Sequence, residues 1–174
     1  VATLMVTHDP EEAMFMADRI KVMGPNGHIL QAGRPHEIYY HPRHEFVAKL
    51  FGMMNIFTGI VSEGRVETPL GFVLTDINDG VNAQVLVRPE GVIIETNGEA
   101  SGASVEITSS HLLGHDNIVR ARLDNGTGDE LYIRVHHTFE VELKKNLSAR
   151  LDAEYAFVFP LEDKLDLEKL KTVK

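Results

Sequence analysis

The sequence predicts a mainly β fold, a small barrel or sandwich of short strands, preceded by a shorter segment that mixes strand and helix. From residue 55 onward, short stretches of alternating apolar and polar residues are separated by turns rich in Gly, Asn and Asp. Helix signals are concentrated before residue 55. Hydrophobic residues make up 43% of the 174 residues, which is enough for a packed core.

The first segment opens on an apolar run, residues 2–6, that predicts a buried strand. A helix follows, for which Asp9 is the expected N-cap and Pro10 the first helical residue. Glu12, at the third helical position, indicates a helix start of the capping-box type. An apolar stripe at helical spacing is expected to pack into the core and consists of Ala13, Met16, Ala17 and Ile20.

Three further elements are expected before residue 55, where the strand-rich part of the sequence begins. Two short apolar segments flank the Gly-Pro-Asn-Gly turn at residues 24–27, which indicates a hairpin. A short helix is bounded by Pro35 and Pro42, and another spans residues 43–51 with Gly52 as its C-cap. The first segment is therefore α/β in character.

From residue 55 onward the sequence predicts strands and turns. In residues 117–123 and 130–135 the apolar side chains alternate with arginines and other polar residues, as on strands with one buried face. Residues 161–174 form a charged tail, which we expect to be at most a frayed helix.

Composition excludes several function classes. The formal net charge is −9, from 17 basic and 26 acidic residues, so nucleic acid is not an expected partner. Cysteine is absent, which removes disulfides, thiolate nucleophiles and Cys-type zinc sites. No apolar run approaches the roughly 20 residues that span a bilayer. These features fit a cytoplasmic protein.

The histidines and arginines raise the questions of a metal site and of an anion site. His111 and His115 are four residues apart, but Gly114 and the strand-rich context separate their faces, so no metal site is expected. Four arginines could meet an anion or could simply form a solvated strand face: Arg88, Arg120, Arg122 and Arg134.

Several motifs resemble a known family when taken in order. The motifs are "VTHD" at residues 6–9, "EEA", "ADRI", the spaced glycines and Gln31 of "GHILQAG", "EIYYHP" and "FVAKLFGMMN". They resemble the end of the nucleotide-binding domain of ABC importer ATPases. "VRPEGV", "LLGHDNIVRARL" and "FVFP" resemble the appended regulatory domain of such subunits, the transport-associated OB-type (TOBE) domain. The resemblance implies a nucleotide-binding-domain remnant at residues 1–54 and an OB-like β-barrel at residues 55–174.

The resemblance assigns His8 as the switch histidine, which contacts the γ-phosphate of ATP and helps orient the attacking water in the full-length protein. ATP and Mg²⁺ would be the cofactors of that protein. The phosphate-binding G-x-x-x-x-G-K-[ST] pattern and the Leu-Ser-Gly-Gly signature do not occur in these 174 residues. In the family they precede the histidine, so the resemblance implies a C-terminal part that does not bind ATP productively by itself. The resemblance implies that the complete protein is a transport ATPase and that this part alone is not an enzyme.

The resemblance also implies partners. They are a second copy of the subunit, transmembrane permease subunits reached through preceding parts, and a regulatory solute or protein, at the inner face of the cell membrane. Arg88 and Glu90, in "VRPEGV", are the candidate positions for a regulatory ligand or contact. The alternative is a free-standing OB-type module that binds a small ligand or nucleic acid. A metal-dependent hydrolase is a third class, supported only by scattered histidines.

Overall fold

Antiparallel strands form most of the molecule in the computed structural model, which describes residues 2–95, 102–126, 128–138 and 147–161. The helices are α1 (Pro10–Met16), α2 (Pro35–Tyr40) and α3 (Glu45–Leu50). The strands are β1 (Ile20–Met23), β2 (Ile29–Gly33), β3 (Asn55–Ile60), β4 (Arg65–Thr68), β5 (Gly71–Leu74), β6 (Asn82–Val87), β7 (Val92–Glu95), β8 (Ala103–Leu113), β9 (Asp116–Leu123), β10 (Glu130–His136), β11 (Leu147–Leu151) and β12 (Ala156–Pro160). Two 3₁₀ turns lie at Pro89–Gly91 and Ala153–Tyr155. The predicted mainly β fold, preceded by an α/β segment, is confirmed.

The β strands after residue 55 enclose one apolar core. A five-stranded sheet has the order β10-β9-β8-β11-β7, and a three-stranded sheet has the order β12-β6-β3. The β4–β5 hairpin adds Val66 and Val73 to the same core. Along β9 the residues alternate as predicted, with Val119, Ala121 and Leu123 buried between exposed arginines. The predicted charged tail lies almost wholly beyond residue 161 and therefore outside the described residues.

The first segment has a small core of its own. Strands β1 and β2 pair antiparallel, with Ile20 opposite Gly33, as the Gly-Pro-Asn-Gly turn predicts. Helices α2 and α3 cover this hairpin and bury Ile38 and Val47 completely. The aromatic residues of α3 and its C-terminus pack against the same cluster. Both short helices and the hairpin are confirmed.

The predicted buried strand at residues 2–6 is wrong. These residues form no strand, and Leu4 and Val6 are each 91% exposed. An apolar run becomes a buried strand only when neighbours cover its faces. No described residue pairs with this run.

The N-terminus of helix α1 follows the prediction in its cap and departs from it in the capping box. The Asp9 carboxylate accepts the backbone N–H groups of Glu11 and Glu12 at 2.9 and 3.1 Å. The Glu12 carboxylate does not close the box. It accepts instead from the hydroxyl of Thr7 at 2.6 Å, because that hydroxyl lies within reach just outside the helix.

Three of the four residues of the predicted apolar stripe, Ala13, Ala17 and Ile20, pack into the small core as expected, whereas Met16 does not. Helix α1 ends at Met16, whose side chain is 64% exposed, and Ile20 belongs to β1. Pairing of Ile20 with β2 outweighs the helical spacing, which is a weaker signal than a formed sheet contact.

Polar side chains join elements that are distant in the chain, within the β strands and across the two segments. Asn55, at the start of β3, is 3% exposed, and its side chain donates to the carbonyl of Tyr132 and accepts from the N–H of the same residue. Gln84 on β6 donates to the Glu45 carboxylate of α3. Helix α3 is therefore held against the three-stranded sheet. Within the described residues no helix is long and apolar enough to cross a membrane.

Candidate functional site

His8 is exposed and lies immediately before the N-cap of helix α1. The backbone on its C-terminal side is held by side chains, since the N–H of Asp9 donates to the Thr7 hydroxyl at 3.0 Å. Asp9 in turn caps the helix. The imidazole therefore sits on an ordered corner and is accessible to an incoming group. An imidazole in this setting can donate a hydrogen bond to a phosphate oxygen or a water molecule.

Arg88 has the most unusual environment among the predicted site residues. It follows β6 directly and is 1% exposed. Its guanidinium carbon lies 3.7 Å from the centroid of the Tyr39 ring, and Nη2 donates to the Tyr39 carbonyl at 3.0 Å. This is a cation–π stack combined with a charge-assisted hydrogen bond, in surroundings from which water is largely excluded.

Glu90 reaches the same tyrosine from the following 3₁₀ turn. The Tyr39 hydroxyl donates to the Glu90 carboxylate. Burial, followed by this hydrogen bond, raises the pKa of Tyr39 to about 12. Burial likewise lowers the pKa of Arg88, although Tyr39 and Glu90 oppose that effect. We name this cluster of Tyr39, Arg88 and Glu90 the tyrosine junction.

The tyrosine junction joins the two segments, because Tyr39 belongs to α2 while Arg88 and Glu90 flank Pro89 in the β domain. Sequence reasoning singled out both charged residues and missed the tyrosine. Tyr39 was noted only as part of "EIYY", and that motif does not indicate which residue its ring contacts. Arg88 does not lie on the solvated strand face that was one reading of the arginines.

Two of the other arginines, Arg134 and Arg120, lie near an acidic and an aromatic side chain. Arg134 pairs with Asp116 at 2.8 Å, and the Arg120 guanidinium carbon lies 5.5 Å from the Tyr132 ring centroid. His111 and His115 are exposed around the β8–β9 turn. In the described ranges no three His, Asp or Glu side chains are grouped so that they could hold a metal ion.

Known proteins resemble this chain over most of its length. An Fe(3+) ions import ATP-binding protein of Rhodococcus jostii is 36% identical over 131 residues, which cover 74% of this chain and 37% of the relative. A putrescine transport ATP-binding protein of Escherichia coli is 34% identical over 140 residues, 72% of this chain and 37% of the relative. An sn-glycerol-3-phosphate import ATP-binding protein of Vibrio vulnificus is 31% identical over 169 residues, 94% of this chain and 45% of the relative.

No family model matches the chain. Among solved structures, the cytoplasmic molybdate-binding protein ModG with molybdate bound matches with a TM-score of 0.49 and 17% identity, over 62% of this chain and 96% of that protein.

A histidine before a capped helix, a hairpin and two short helices are followed by a β domain. The match to an importer ATP-binding protein over 94% of the chain includes both of these parts. The chain belongs to the family of ABC importer ATP-binding subunits. It spans less than half the length of the relatives it matches, 37% to 45% in the three cases above. The free-standing binding module is not favoured, because a match over 94% of the chain includes both segments.

The raised pKa of Tyr39 predicts a specific loss of stability at high pH. A tyrosine in the unfolded chain ionises near pH 10. The folded state keeps Tyr39 protonated until about pH 12. The contribution of this group to stability is therefore complete below pH 10 and is lost as the pH rises towards 12.

A Tyr39→Phe variant tests this. It should be about 1–2 kcal/mol less stable than the unaltered chain at pH 8, because the Glu90 carboxylate loses its donor. The difference should shrink steadily in urea unfolding curves measured between pH 10 and 12. Tyr132→Phe, in the five-stranded sheet, is the matched control. A difference between the unaltered chain and Tyr39→Phe that stays constant up to pH 12 would contradict the prediction.

Proposed function

We propose that this chain is the C-terminal part of the ATP-binding subunit of an ABC importer, which drives solute uptake by hydrolysing ATP with Mg²⁺. The observation that carries the proposal is the match to importer ATP-binding proteins across both segments of the chain. We divide it into a nucleotide-binding-domain remnant at residues 1–54 and a TOBE-type regulatory domain at residues 55–174. The two separate apolar cores support this division.

In this proposal His8 is the switch histidine of the complete subunit. It would donate a hydrogen bond to the γ-phosphate and help orient the attacking water. Its exposure and its position at an ordered corner support the role. The remaining ATP- and Mg²⁺-binding residues would come from parts of the subunit not included in these 174 residues.

The β domain would serve as a regulatory and dimer-stabilising module. Its partners would be a second copy of the subunit, transmembrane permease subunits and a regulatory solute or protein, on the cytoplasmic face of the membrane. The three relatives are named for iron(III), putrescine and glycerol phosphate, so the family likeness supports the ATP-binding role and no particular solute. The burial of Arg88 favours an internal contact over a ligand contact at that position.

Titration with ATP tests two claims, that this chain alone does not bind ATP and that the complete subunit does. The 174-residue chain should show no saturable, Mg²⁺-dependent ATP binding in isothermal titration calorimetry up to millimolar nucleotide, because it contains no phosphate-binding loop motif. The complete subunit should bind ATP and hydrolyse it. Tight Mg²⁺-dependent binding by the chain alone, or no hydrolysis by the complete subunit, would overturn the proposal.

A further inference from the structure

A cleft opens beside the tyrosine junction, where helices α1 and α2 meet the β domain. Its volume is about 610 Å³, within the roughly 300–1,000 Å³ typical of small-molecule sites. Its aromatic and charged lining consists of His36, Tyr39, Tyr40, Glu90, Asp116, Arg134 and Tyr155. Three of these residues are tyrosines, whereas the whole chain contains four.

The aromatic rings form a continuous wall. Along α2 the His36 and Tyr40 ring centroids are 4.7 Å apart, and those of Tyr39 and Tyr40 are 5.1 Å apart. Tyr155 continues the wall from the β domain, 5.9 Å from Tyr40. Aromatic ring faces carry negative electrostatic potential and attract cations.

Tyr155 is positioned by the backbone around the first 3₁₀ turn. Its carbonyl accepts the N–H of Arg88 at 3.0 Å. A Cβ at Gly91 would lie 2.5 Å from the Tyr155 Cβ, so only glycine allows this approach. The Tyr155 ring is therefore positioned by the same segment that supplies Arg88 and Glu90.

The charges around the cleft favour a cation over an anion. Glu90 and Asp116 both line it. Arg134 also lines the cleft, but its guanidinium is paired with the Asp116 carboxylate at 2.8 Å. Arg88 is buried against the Tyr39 ring.

We propose that this cleft binds a small organic ammonium ion, with the tyrosine faces surrounding the cation and Glu90 supplying the opposite charge. The guanidinium of Arg88 already makes such a cation–π contact with the Tyr39 ring inside the protein. A bound cation would contact Tyr39 and Glu90, so its occupancy is coupled to the contact between the two segments. The inference goes beyond the ATP-binding role and does not depend on it, because every residue involved lies in this chain.

Tyrosine fluorescence gives a direct test, because the chain has no tryptophan and three of its four tyrosines line the cleft. The unaltered chain is titrated with 1,4-diaminobutane, with its neutral counterpart 1,4-butanediol, and with sulfate, and heats of binding are measured in parallel. We expect a saturable fluorescence change and measurable heat with the diamine alone. Equal binding of the diol, binding of sulfate instead, or no saturable response to the diamine would overturn the proposal.

Variants then locate the site. Tyr40→Leu and Tyr155→Leu should each weaken diamine binding roughly threefold or more, as expected for losing one cation–π contact. Tyr132→Leu is the matched control, since Tyr132 does not line the cleft, and it should leave binding unchanged. Unchanged binding in both cleft variants would overturn the assignment. If circular dichroism shows that a variant does not fold, the comparison of the diamine with the diol on the unaltered chain still decides whether the cleft binds a cation.

Discussion

ATP hydrolysis by the complete subunit is expected to fall by about two to three orders of magnitude when His8 is replaced by alanine, with ATP binding retained. Loss of a single donor aimed at a developing negative charge has an effect of this size on turnover. Binding should persist because the phosphates and Mg²⁺ are held mainly by a phosphate-binding loop and metal ligands outside this chain. The measurement is steady-state phosphate release alongside nucleotide binding, both on the complete subunit.

The matched control is His28→Ala. His28 is also exposed, but it lies in the β1–β2 turn. It should leave both turnover and ATP binding unchanged. Full turnover in His8→Ala would refute the switch assignment. Loss of ATP binding together with turnover would instead mean that His8 supports ground-state binding.

Removal of Arg88 should lower the stability of the chain substantially. In Arg88→Ala the free energy of unfolding should fall by about 3–5 kcal/mol, the range measured when one member of a buried charged cluster is removed. The variant leaves a cavity beside Tyr39, and it removes the donor to the Tyr39 carbonyl and the cation near Glu90. Urea unfolding followed by far-ultraviolet circular dichroism measures the change.

Two comparisons make the stability prediction specific. Arg88→Lys keeps the charge but loses the planar guanidinium, so its loss should be smaller but still clear. Arg122→Ala removes an exposed arginine of β9 and should change stability by no more than about 0.5 kcal/mol. An Arg88→Ala protein as stable as Arg122→Ala would show that the tyrosine junction does not hold the two segments together.

Most individual elements could be predicted from the sequence because their causes are local. The Asp9 cap, the Gly-Pro-Asn-Gly turn and the alternation along β9 each depend on residues close together in the chain. The family resemblance also rested on short motifs in order. The failures involve residues 2–6 and Met16, where burial depends on which neighbours are available.

The sequence by itself therefore determined the fold class, the order of elements and the family. Only the tertiary structure decided what Arg88 and Glu90 do, because their common partner Tyr39 lies 49 and 51 residues away along the chain. No spacing rule connects positions so far apart. A buried arginine becomes stable only where a ring and a carbonyl are brought to it, and that happens when α2 packs against the β domain.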